Sequence, residues 1–533
     1  MAKPVSLFTL AAAVVIAVWW WLGLAISMPP SPLAPGEKLY CVSYAPFHGS
    51  QSPLDLSTQI PADQIDRDLA LLSQITDCVR TYSVDFGLDR VPEIAQRHGM
   101  KVMLGLWVSS HADRTQFQID KVVGLANQFP EVIRSVIVGN EVLLRGEISP
   151  EALADIILGV KARVKMPVTY ADVWEFWLRY RDLARAVDFI TVHILPYWED
   201  EPVAASRAAD HVDNIRKRVA EEFPGKEILV GEMGWPSAGR MRWGALPSPA
   251  NQARVLSEVL ARSKREGFRV NLIEAFDQPW KRYLEGTVGG HWGLFDDALQ
   301  RKFAWGAALS NHRHWPWQAA GGVGLAALVF LAAIRASRRA TESVSTAIWV
   351  AVALQAAIAG VLAGWSVEDA FLQSYDIGGW LRSSAWAALA IAAPIVGGAM
   401  VAGGKSIPAF SRILAARADR ERDPLVLAFG LVVIAVMVLS VQSALALAFD
   451  PRYRDFPFAA LTAAAVPLAL ASLLSPRAAD RPPLAETIAA AMLALCAVFI
   501  AWNETIANWQ ALWFGLAVLL LAFSLLRAPA APD

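Results

Sequence analysis

Apolar residues are unevenly distributed along the 533-residue chain. They form long runs before about residue 28 and after about residue 315, whereas the residues between alternate short apolar runs with charged amphipathic segments. A helix that crosses a bilayer needs a run of about 20 predominantly apolar residues. The pattern therefore predicts a soluble middle region flanked by membrane helices.

Eight apolar stretches have the length of membrane helices, at residues 7–27, 315–334, 344–365, 383–403, 425–449, 458–475, 485–502 and 509–526. The first has an alternative reading as a signal peptide cleaved near Ser27. Cleaved apolar segments are shorter, roughly 7 to 15 residues, so an uncleaved anchor is favoured. An even number of spans places both termini on the same side of the membrane.

Basic residues are concentrated in alternate loops between these spans: Arg335, Arg338, Arg339, Lys405, Arg412, Arg417, Arg420, Arg422, Arg477 and Arg481. Because cytoplasmic loops carry such an excess, both termini should be cytoplasmic. The soluble region then lies on the opposite face, which is the periplasm for a bacterial inner membrane. Few ionisable residues lie within the spans, which favours an anchoring role, with a polymer channel or a docking surface for a synthase as alternatives.

The pattern of the soluble region predicts a strand-helix unit that is repeated eight times. Strand-like runs are LYCVSYA, DCVRTYSV, KVMLGLWVS, VIRSVIVGNE, MPVTYADV, VDFITVHILPY, EILVGEMGW and VNLIEAF, with amphipathic helical patterns between them. We expect an α/β fold, a (β/α)8 TIM barrel over residues 36–312. It follows an anchor and Pro-rich linker (1–35) and precedes an all-α transmembrane bundle of about seven helices (313–533). A doubly wound open sheet is disfavoured because no GxGxxG follows a strand.

The charge balance and the cysteines exclude several classes of protein. A formal net charge of -1 without a basic stripe argues against a nucleic-acid partner. The three cysteines and eight histidines lack metal-ligand spacing, so neither a metal nor another cofactor is expected. Cys41 and Cys78 either form a disulfide or are two small buried residues.

Two predicted strands end in carboxylates. In (β/α)8 enzymes the catalytic groups come from the carboxyl ends of the strands. Strand four ends in Glu141 and strand seven ends in Glu232, so both side chains should reach the same rim. Either glutamate alone would be read as an ordinary rim salt bridge, but a pair is the equipment for glycosidic bond cleavage, with about 5–5.5 Å between the carboxyl groups in retaining enzymes.

Four motifs in order, IVGNEV, ITVHILPYW, LVGEMGWPS and HWGLF, resemble glycoside hydrolase family 17 over roughly residues 38–300. The resemblance implies a retaining enzyme acting on β-1,3-glucans, with Glu141 as acid/base and Glu232 as nucleophile. With its helical tail, the whole chain also resembles rhizobial membrane proteins that form β-1,3/β-1,6-glucans. Departures from the plant members at residues 195–197 and 276–278 leave the auxiliary residues open, and Lys281 and Glu285 are unassigned.

Aromatic side chains near the strand ends are candidates to stack on sugar rings: Tyr44, Trp107, Tyr170, Trp174, Tyr197, Trp198, Trp235, Trp280 and Trp292. For each of them, core packing is the alternative. Asn140 is placed to bond the sugar 2-hydroxyl. Arg80, at the end of strand two, either holds the nucleophile ionised or forms a salt bridge in the barrel mouth.

No nucleotide-sugar site is evident, because the only D-x-D, residues 66–68, falls within a predicted helix. The chain should therefore rearrange glucan made by another protein. The first hypothesis is a transglycosylase that elongates or branches β-1,3-glucan, with β-1,6 linkages as one outcome. The alternatives are a membrane-anchored endo-β-1,3-glucanase and a non-enzymatic glucan-binding scaffold. The expected partners are a β-glucan, the lipid bilayer and a glucan synthase.

Overall fold

The eight strand-like runs form one closed barrel in the computed structural model, which describes residues 2–340, 343–405, 407–414, 423–474 and 483–527. The strands are β1 Cys41–Ser43, β2 Cys78–Arg80, β3 Lys101–Leu106, β4 Ile133–Asn140, β5 Val168–Val173, β6 Ile190–His193, β7 Ile228–Met233 and β8 Arg269–Leu272. Each pairs in parallel with the next, and β8 pairs in parallel with β1. The prediction of a TIM barrel followed by a helical region is confirmed.

Helices cover the outside of the barrel: α2 Ala62–Leu72, α3 Val91–Arg97, α4 Ala112–Gln128, α5 Pro150–Lys161, α6 Trp174–Arg179, α7 Ala205–Glu222, α8 Pro249–Glu266 and α9 Arg282–Gly289. Short 3-10 turns lie at Leu88–Arg90, Arg181–Arg185 and Pro279–Lys281. The Ser-Pro pairs begin two of these helices. The hydroxyls of Ser149 and Ser248 accept from the backbone N–H three residues later, with a proline in the first turn.

The barrel interior is divided into an apolar lower layer and a polar upper layer. The lower layer consists of Cys41, Cys78, Met103, Ile137, Ala171 and Leu229. Cys41 and Cys78, which the sequence left open, are joined by a disulfide between β1 and β2. Because side chains alternate along a strand, Ser43 and Arg80 point into the barrel one layer above the two cysteines. This upper layer forms the floor of the candidate site.

The remaining helices are α1 Ala2–Leu22, α10 Trp315–Ser337, α11 Thr346–Gln373, α12 Ile377–Ala402, α13 Phe410–Ile413, α14 Pro424–Phe449, α15 Phe458–Leu474, α16 Leu484–Glu504 and α17 Trp509–Leu526. Among the described residues, seven helices are long and apolar enough to cross a membrane; α15, with 17 residues, is shorter. Each of the eight predicted spans contains one of these helices, although the first helix ends at Leu22 rather than at residue 27. The segment SVEDAFLQSYD, expected to be a loop, is largely the last part of α11, which continues to Gln373.

The chain divides into two compact units. One comprises Met1–Ala25, Gly239–Trp243 and Ser310–Asp533, and the other comprises Ile26–Ala238 and Gly244–Leu309. In the first, α10 and α11 cross closely, since a Cβ on Gly322 would lie 2.1 Å from the Gly360 carbonyl oxygen. Five loop residues used to predict the topology lie outside the described residues: Arg417, Arg420, Arg422, Arg477 and Arg481. The orientation in a membrane stays a prediction.

Candidate active site

The end of β4 turns sharply and aims Glu141 at the barrel axis. Gly139 has φ 86°, and a Cβ there would lie 2.5 Å from a methyl group of Val142, so glycine is required. Glu141 itself has φ 51°, a left-handed conformation that is unfavourable for a residue with a side chain. A hydrogen bond of 2.8 Å from its N–H to the Ala171 carbonyl oxygen holds this backbone against β5.

The end of β7 carries the second carboxylate. Glu232 is 5% exposed and follows Gly231, where a Cβ would lie 2.2 Å from Thr191. One side-chain atom each of Glu141, His193 and Glu232 lies within 4.8 Å of the other two. The two carboxylates are therefore close enough for a retaining arrangement and too close for the ~6.5–9.5 Å of an inverting one.

Polar groups from β2 and the residues after it surround Glu232. Its Oε1 accepts from Arg80 at 3.0 Å and from the Tyr82 hydroxyl at 2.8 Å. Burial by itself raises the pKa of Glu232, but its neighbours His193 and Arg80, with the Tyr82 hydrogen bond and Lys281, outweigh burial and lower that pKa. Glu232 is thus held as a carboxylate, the state that a nucleophile needs.

Glu141 has a different environment. Its side chain is 24% exposed, against 6% for that of Glu232. Its Oε1 lies 2.9 Å from Nδ1 of His193, and Asp172 lies nearby on β5. Burial, opposed by the Tyr170 hydrogen bond and reinforced by the charge of Glu141, raises the pKa of Asp172 to about 6. Glu141 is therefore the more accessible of the two carboxylates from solvent.

A third carboxylate, Glu274, follows β8 and is 1% exposed. Its Oε1 accepts from Lys281 Nζ at 2.8 Å. Burial raises the pKa of Glu274 to about 7, although Lys281 opposes the shift, and the charges of Glu285 and Glu232 add to it. Lys281 and Glu285, left unassigned from the sequence, therefore belong to the charged surroundings of Glu232 and Glu274.

Arg80 and Asn140 meet in the site. Arg80 is 1% exposed and donates to Glu232, to the Gly231 carbonyl oxygen at 2.8 Å and to Asn140 Oδ1 at 2.5 Å. The sequence offered two alternatives for Arg80, a salt bridge in the barrel mouth or contact with the predicted nucleophile. The two coincide, because the salt bridge is with the carboxylate of Glu232.

The aromatic candidates divide into exposed and buried rings. Trp107 is 36% exposed, and the Arg145 guanidinium lies over its ring, 4.1 Å from the ring centroid. Trp174, Trp198 and Trp280 are half-buried, and Trp198 stacks on Trp292 with ring centroids 6.3 Å apart. The fully or almost fully buried rings are Tyr44, Tyr170, Tyr197, Trp235 and Trp292. Three of these buried rings use their polar atom internally: Tyr44 with Asp68, Tyr170 with Asp172, and Trp235 with the Leu246 carbonyl oxygen.

Three polar groups at the site were missed in the sequence. Tyr82 lies in the strand-two run DCVRTYSV and His193 in the motif ITVHILPYW, but neither is a carboxylate at a strand end. Glu274 does follow a strand, in VNLIEAF, and the rule applied to strands four and seven would have found it. The atoms of Glu141, His193 and Glu232 are also close enough to hold a metal ion, but the Arg80 guanidinium is bonded to the same Glu232 oxygen and would repel one.

A closed (β/α)8 barrel with two carboxylates side by side at its carboxyl rim is the arrangement that a retaining glycosidase requires. Residues 41–293 match the family model described as the BtgE/BtgC glycoside hydrolase domain. This part of the chain is therefore a glycoside hydrolase domain of the family 17 type, as the motifs predicted. The resemblance of the whole chain to rhizobial membrane proteins stays a prediction.

Fungal proteins are among the relatives that match this domain. A Candida albicans protein named glucan 1,3-beta-glucosidase is 26% identical over 263 residues, covering 44% of this chain and 84% of the relative. An Aspergillus niger protein with the provisional name glucan endo-1,3-beta-glucosidase btgC is 28% identical over 298 residues, 49% of this chain and 42% of the relative. The chain thus spans about two fifths of the length of that Aspergillus relative.

Two solved structures resemble the same half of the chain. The glycoside hydrolase family 17 beta-1,3-glucanosyltransferase from Rhizomucor miehei is 27% identical, with a TM-score of 0.44 and coverage of 50% of this chain and 98% of that one. An active-site mutant of the Rhizomucor beta-1,3-glucanosyltransferase in complex with laminaritriose is 26% identical, with a TM-score of 0.45.

Proposed function

We propose that the protein is a retaining β-glucan transglycosylase, in which Glu232 is the nucleophile and Glu141 is the acid/base. One observation carries the proposal: two carboxylates with oxygens within 4.8 Å of each other have unlike surroundings. Glu232 is buried against Arg80 and Tyr82, which favours its ionised form. Glu141 is more open, which suits a group that exchanges a proton with the substrate.

The first half-reaction forms a glycosyl-enzyme. A carboxylate oxygen of Glu232 attacks C1 of the donor sugar while Glu141 gives its proton to the glycosidic oxygen. The C1–O bond to the leaving sugar breaks, and an ester bond from C1 to Glu232 forms. Because Arg80 holds Oδ1 of Asn140, the amide is oriented, and its Nδ2 is the donor that we assign to the sugar 2-hydroxyl.

The second half-reaction transfers the sugar. Glu141, now a carboxylate, takes the proton of an acceptor hydroxyl, whose oxygen bonds to C1 as the ester electrons return to Glu232. A glucan acceptor gives an elongated or branched chain, and water gives hydrolysis. Both outcomes use the same two glutamates.

We propose a β-1,3-glucan as the substrate. This follows from the family match of residues 41–293 and from the name of the Candida relative, glucan 1,3-beta-glucosidase. The name of the Aspergillus relative, glucan endo-1,3-beta-glucosidase btgC, favours a second candidate, a membrane-anchored endo-β-1,3-glucanase. Transfer is preferred because anchoring beside an export route keeps acceptor chains at the site. A non-enzymatic scaffold would not need an acid and a nucleophile at this separation.

We also propose that the protein is a multi-pass protein of a bacterial inner membrane, with both termini cytoplasmic and residues 36–312 periplasmic. The support is the seven long apolar helices and the shorter apolar helix α15, which together make an even number of spans, and the basic residues in alternate loops, Arg335, Arg338, Arg339 and Lys405 among them. The helical bundle then anchors the enzyme in the bilayer, near the synthase that makes its glucan.

Product analysis with laminari-oligosaccharides tests the choice between transfer and hydrolysis. We expect the purified full-length protein to give products longer than the donor, some of them branched, when acceptor is abundant. Shorter products alone would identify a glucanase. The absence of any new product, with binding retained, would favour the scaffold.

A further inference from the structure

His193, the last residue of β6, lies between the two catalytic carboxylates. Its side chain is completely buried, with Nδ1 at 2.9 Å from Glu141 Oε1 and Nε2 at 3.6 Å from Glu232 Oε1. The assigned mechanism gives this imidazole no role. A buried group in contact with the acid/base nevertheless affects which charge state of that residue is favoured.

The contacts of Nε2 determine which ring nitrogen carries the proton. Both terminal nitrogens of Arg80 lie 3.4 Å from Nε2. A guanidinium has only donors, so Nε2 must face it with its lone pair. A neutral imidazole has one donor and one acceptor, and its proton is then on Nδ1. Nδ1–H therefore donates to Glu141 Oε1.

Charged groups from four strands face this imidazole: Arg80 from β2, Glu141 from β4, Asp172 from β5 and Glu232 from β7. Arg80 presents N–H donors to Nε2, which therefore faces it as an acceptor. The Nδ1–H donor forms its charge-assisted hydrogen bond with the carboxylate form of Glu141. That is the state Glu141 occupies after the first half-reaction.

We propose that His193 is a positioning residue for the second half-reaction, which holds Glu141 as the base that activates the acceptor. The proposal rests on the proposed retaining function. The step itself is unchanged: the acceptor proton goes to Glu141, and the C1–Glu232 bond breaks as the new C1–O bond forms. His193 keeps its proton and fixes the orientation and charge of the base through one hydrogen bond.

The test separates the two half-reactions. With an aryl β-laminaribioside that has a good leaving group, the first half-reaction does not need the acid, and kcat/KM reports that half alone. For His193→Ala in the full-length protein, we expect kcat and KM to fall together by about tenfold, the effect of losing one hydrogen bond to a charged group. We expect kcat/KM to be unchanged and the glycosyl-enzyme to accumulate in intact-protein mass spectra. The acidic limb of the kcat profile should move to higher pH, because the base is then protonated more readily.

Two conservative variants locate the effect at Nδ1. An Asn amide places its donor near the position of Nδ1, whereas a Gln amide reaches toward that of Nε2. We expect His193→Asn to restore kcat and His193→Gln not to, a comparison that remains decisive if the alanine variant does not fold. Thr191→Val is the matched control: Thr191 precedes His193 on the same interior face and bonds Thr169 instead of a carboxylate. Its melting temperature should fall without a change in kcat or KM.

Two results would overturn the proposal: an equal fall of kcat and kcat/KM in His193→Ala, or equal kcat values for the Asn and Gln variants. Failure of the proposed function has a different signature. The natural protein would then form no glycosyl-enzyme on Glu232 with this substrate, or would release product of inverted configuration.

Discussion

The Tyr82 hydroxyl and the Glu232 carboxylate form a hydrogen bond of 2.8 Å, on the same Oε1 that accepts from Arg80 at 3.0 Å. Both donors therefore act on one oxygen. We expect the other oxygen, Oε2, to attack C1, because it keeps its lone pairs for bond formation. Tyr82 also contacts Ser43 Oγ at 2.9 Å, which links the nucleophile to the polar layer of the barrel.

Tyr82→Phe removes one of these donors and leaves the ring in place. Because hydrogen bonding lowers the pKa of Glu232, its loss should raise that pKa and move the acidic limb of kcat/KM to higher pH. We expect kcat/KM at neutral pH to fall by about tenfold. Tyr40→Phe is the control, since its ring packs under Arg134 just before β1 begins. An unchanged acidic limb in Tyr82→Phe would mean that the hydroxyl does not control the nucleophile.

Glu232→Gln should abolish the glycosyl-enzyme, whereas Glu141→Gln should slow cleavage of natural glucans much more than that of an activated aryl donor. The difference follows because only a poor leaving group needs the proton of Glu141. A mechanism-based fluorosugar should label Glu232, as read by peptide mass spectrometry. Labelling at Glu141 or Glu274 would reverse the assignment of roles.

Trp198→Ala tests the acceptor side of the groove. Transfer requires a surface that holds the acceptor in competition with water, and the half-buried indole of Trp198, stacked on Trp292, offers one. We expect the transfer-to-hydrolysis ratio to fall several-fold with little change in activated-donor cleavage. Trp235, the other candidate for this role, is fully buried, so Trp235→Phe serves as the structural control. An equal loss of both reactions in Trp198→Ala would make that ring structural or donor-binding.

Glu274→Gln tests whether the negative charge of a third carboxylate contributes to the reaction. With a pKa of about 7, Glu274 is mostly neutral below that pH, where Gln mimics it, and charged above it. Its negative charge should stabilise the positive charge that develops on the sugar. We expect the variant to match the natural protein at acidic pH and to have a several-fold lower kcat/KM above neutrality, measured on an activated donor. A ratio of the two proteins that does not vary with pH would contradict this.

Reporter insertions test the orientation in the membrane. A reporter that works only in the cytoplasm should be active when it is fused after Ser337, at the end of α10. For the periplasmic side, Asp369 is unsuitable as an insertion site because it lies inside α11. An insertion after Tyr375, between α11 and α12, is therefore the better site and should read as periplasmic. The reverse pattern would overturn the proposed compartment.

The sequence predicted the order of the elements because each depends on a local pattern. The eight strand runs, the Ser149 and Ser248 caps and the apolar spans are all visible within windows of about 20 residues or fewer. Glu141 and Glu232 followed from the rule that parallel strands end at one rim.

Contacts that form between distant strands when the barrel closes were not predictable in this way. His193 contacts residues that are 52 and 39 positions away, and Tyr82 reaches a partner 150 positions away. Trp235 is buried in part by Tyr197, which is distant from it in the sequence. No periodicity records such contacts, so the aromatic candidates were a mixture of exposed rings and core rings.

The left-handed backbone conformation of Glu141 affects which residue related proteins are expected to keep at this position. A side chain at φ 51° costs roughly 1–2 kcal/mol relative to glycine, so folding alone disfavours glutamate at this position. Only the reaction maintains it. In a lineage that kept the barrel but lost the need for catalysis, this codon should drift first, toward glycine or asparagine, while Gly139 and the strand residues around it persist. The residue found there would then distinguish working enzymes from inactive descendants in genomes where no assay has been done.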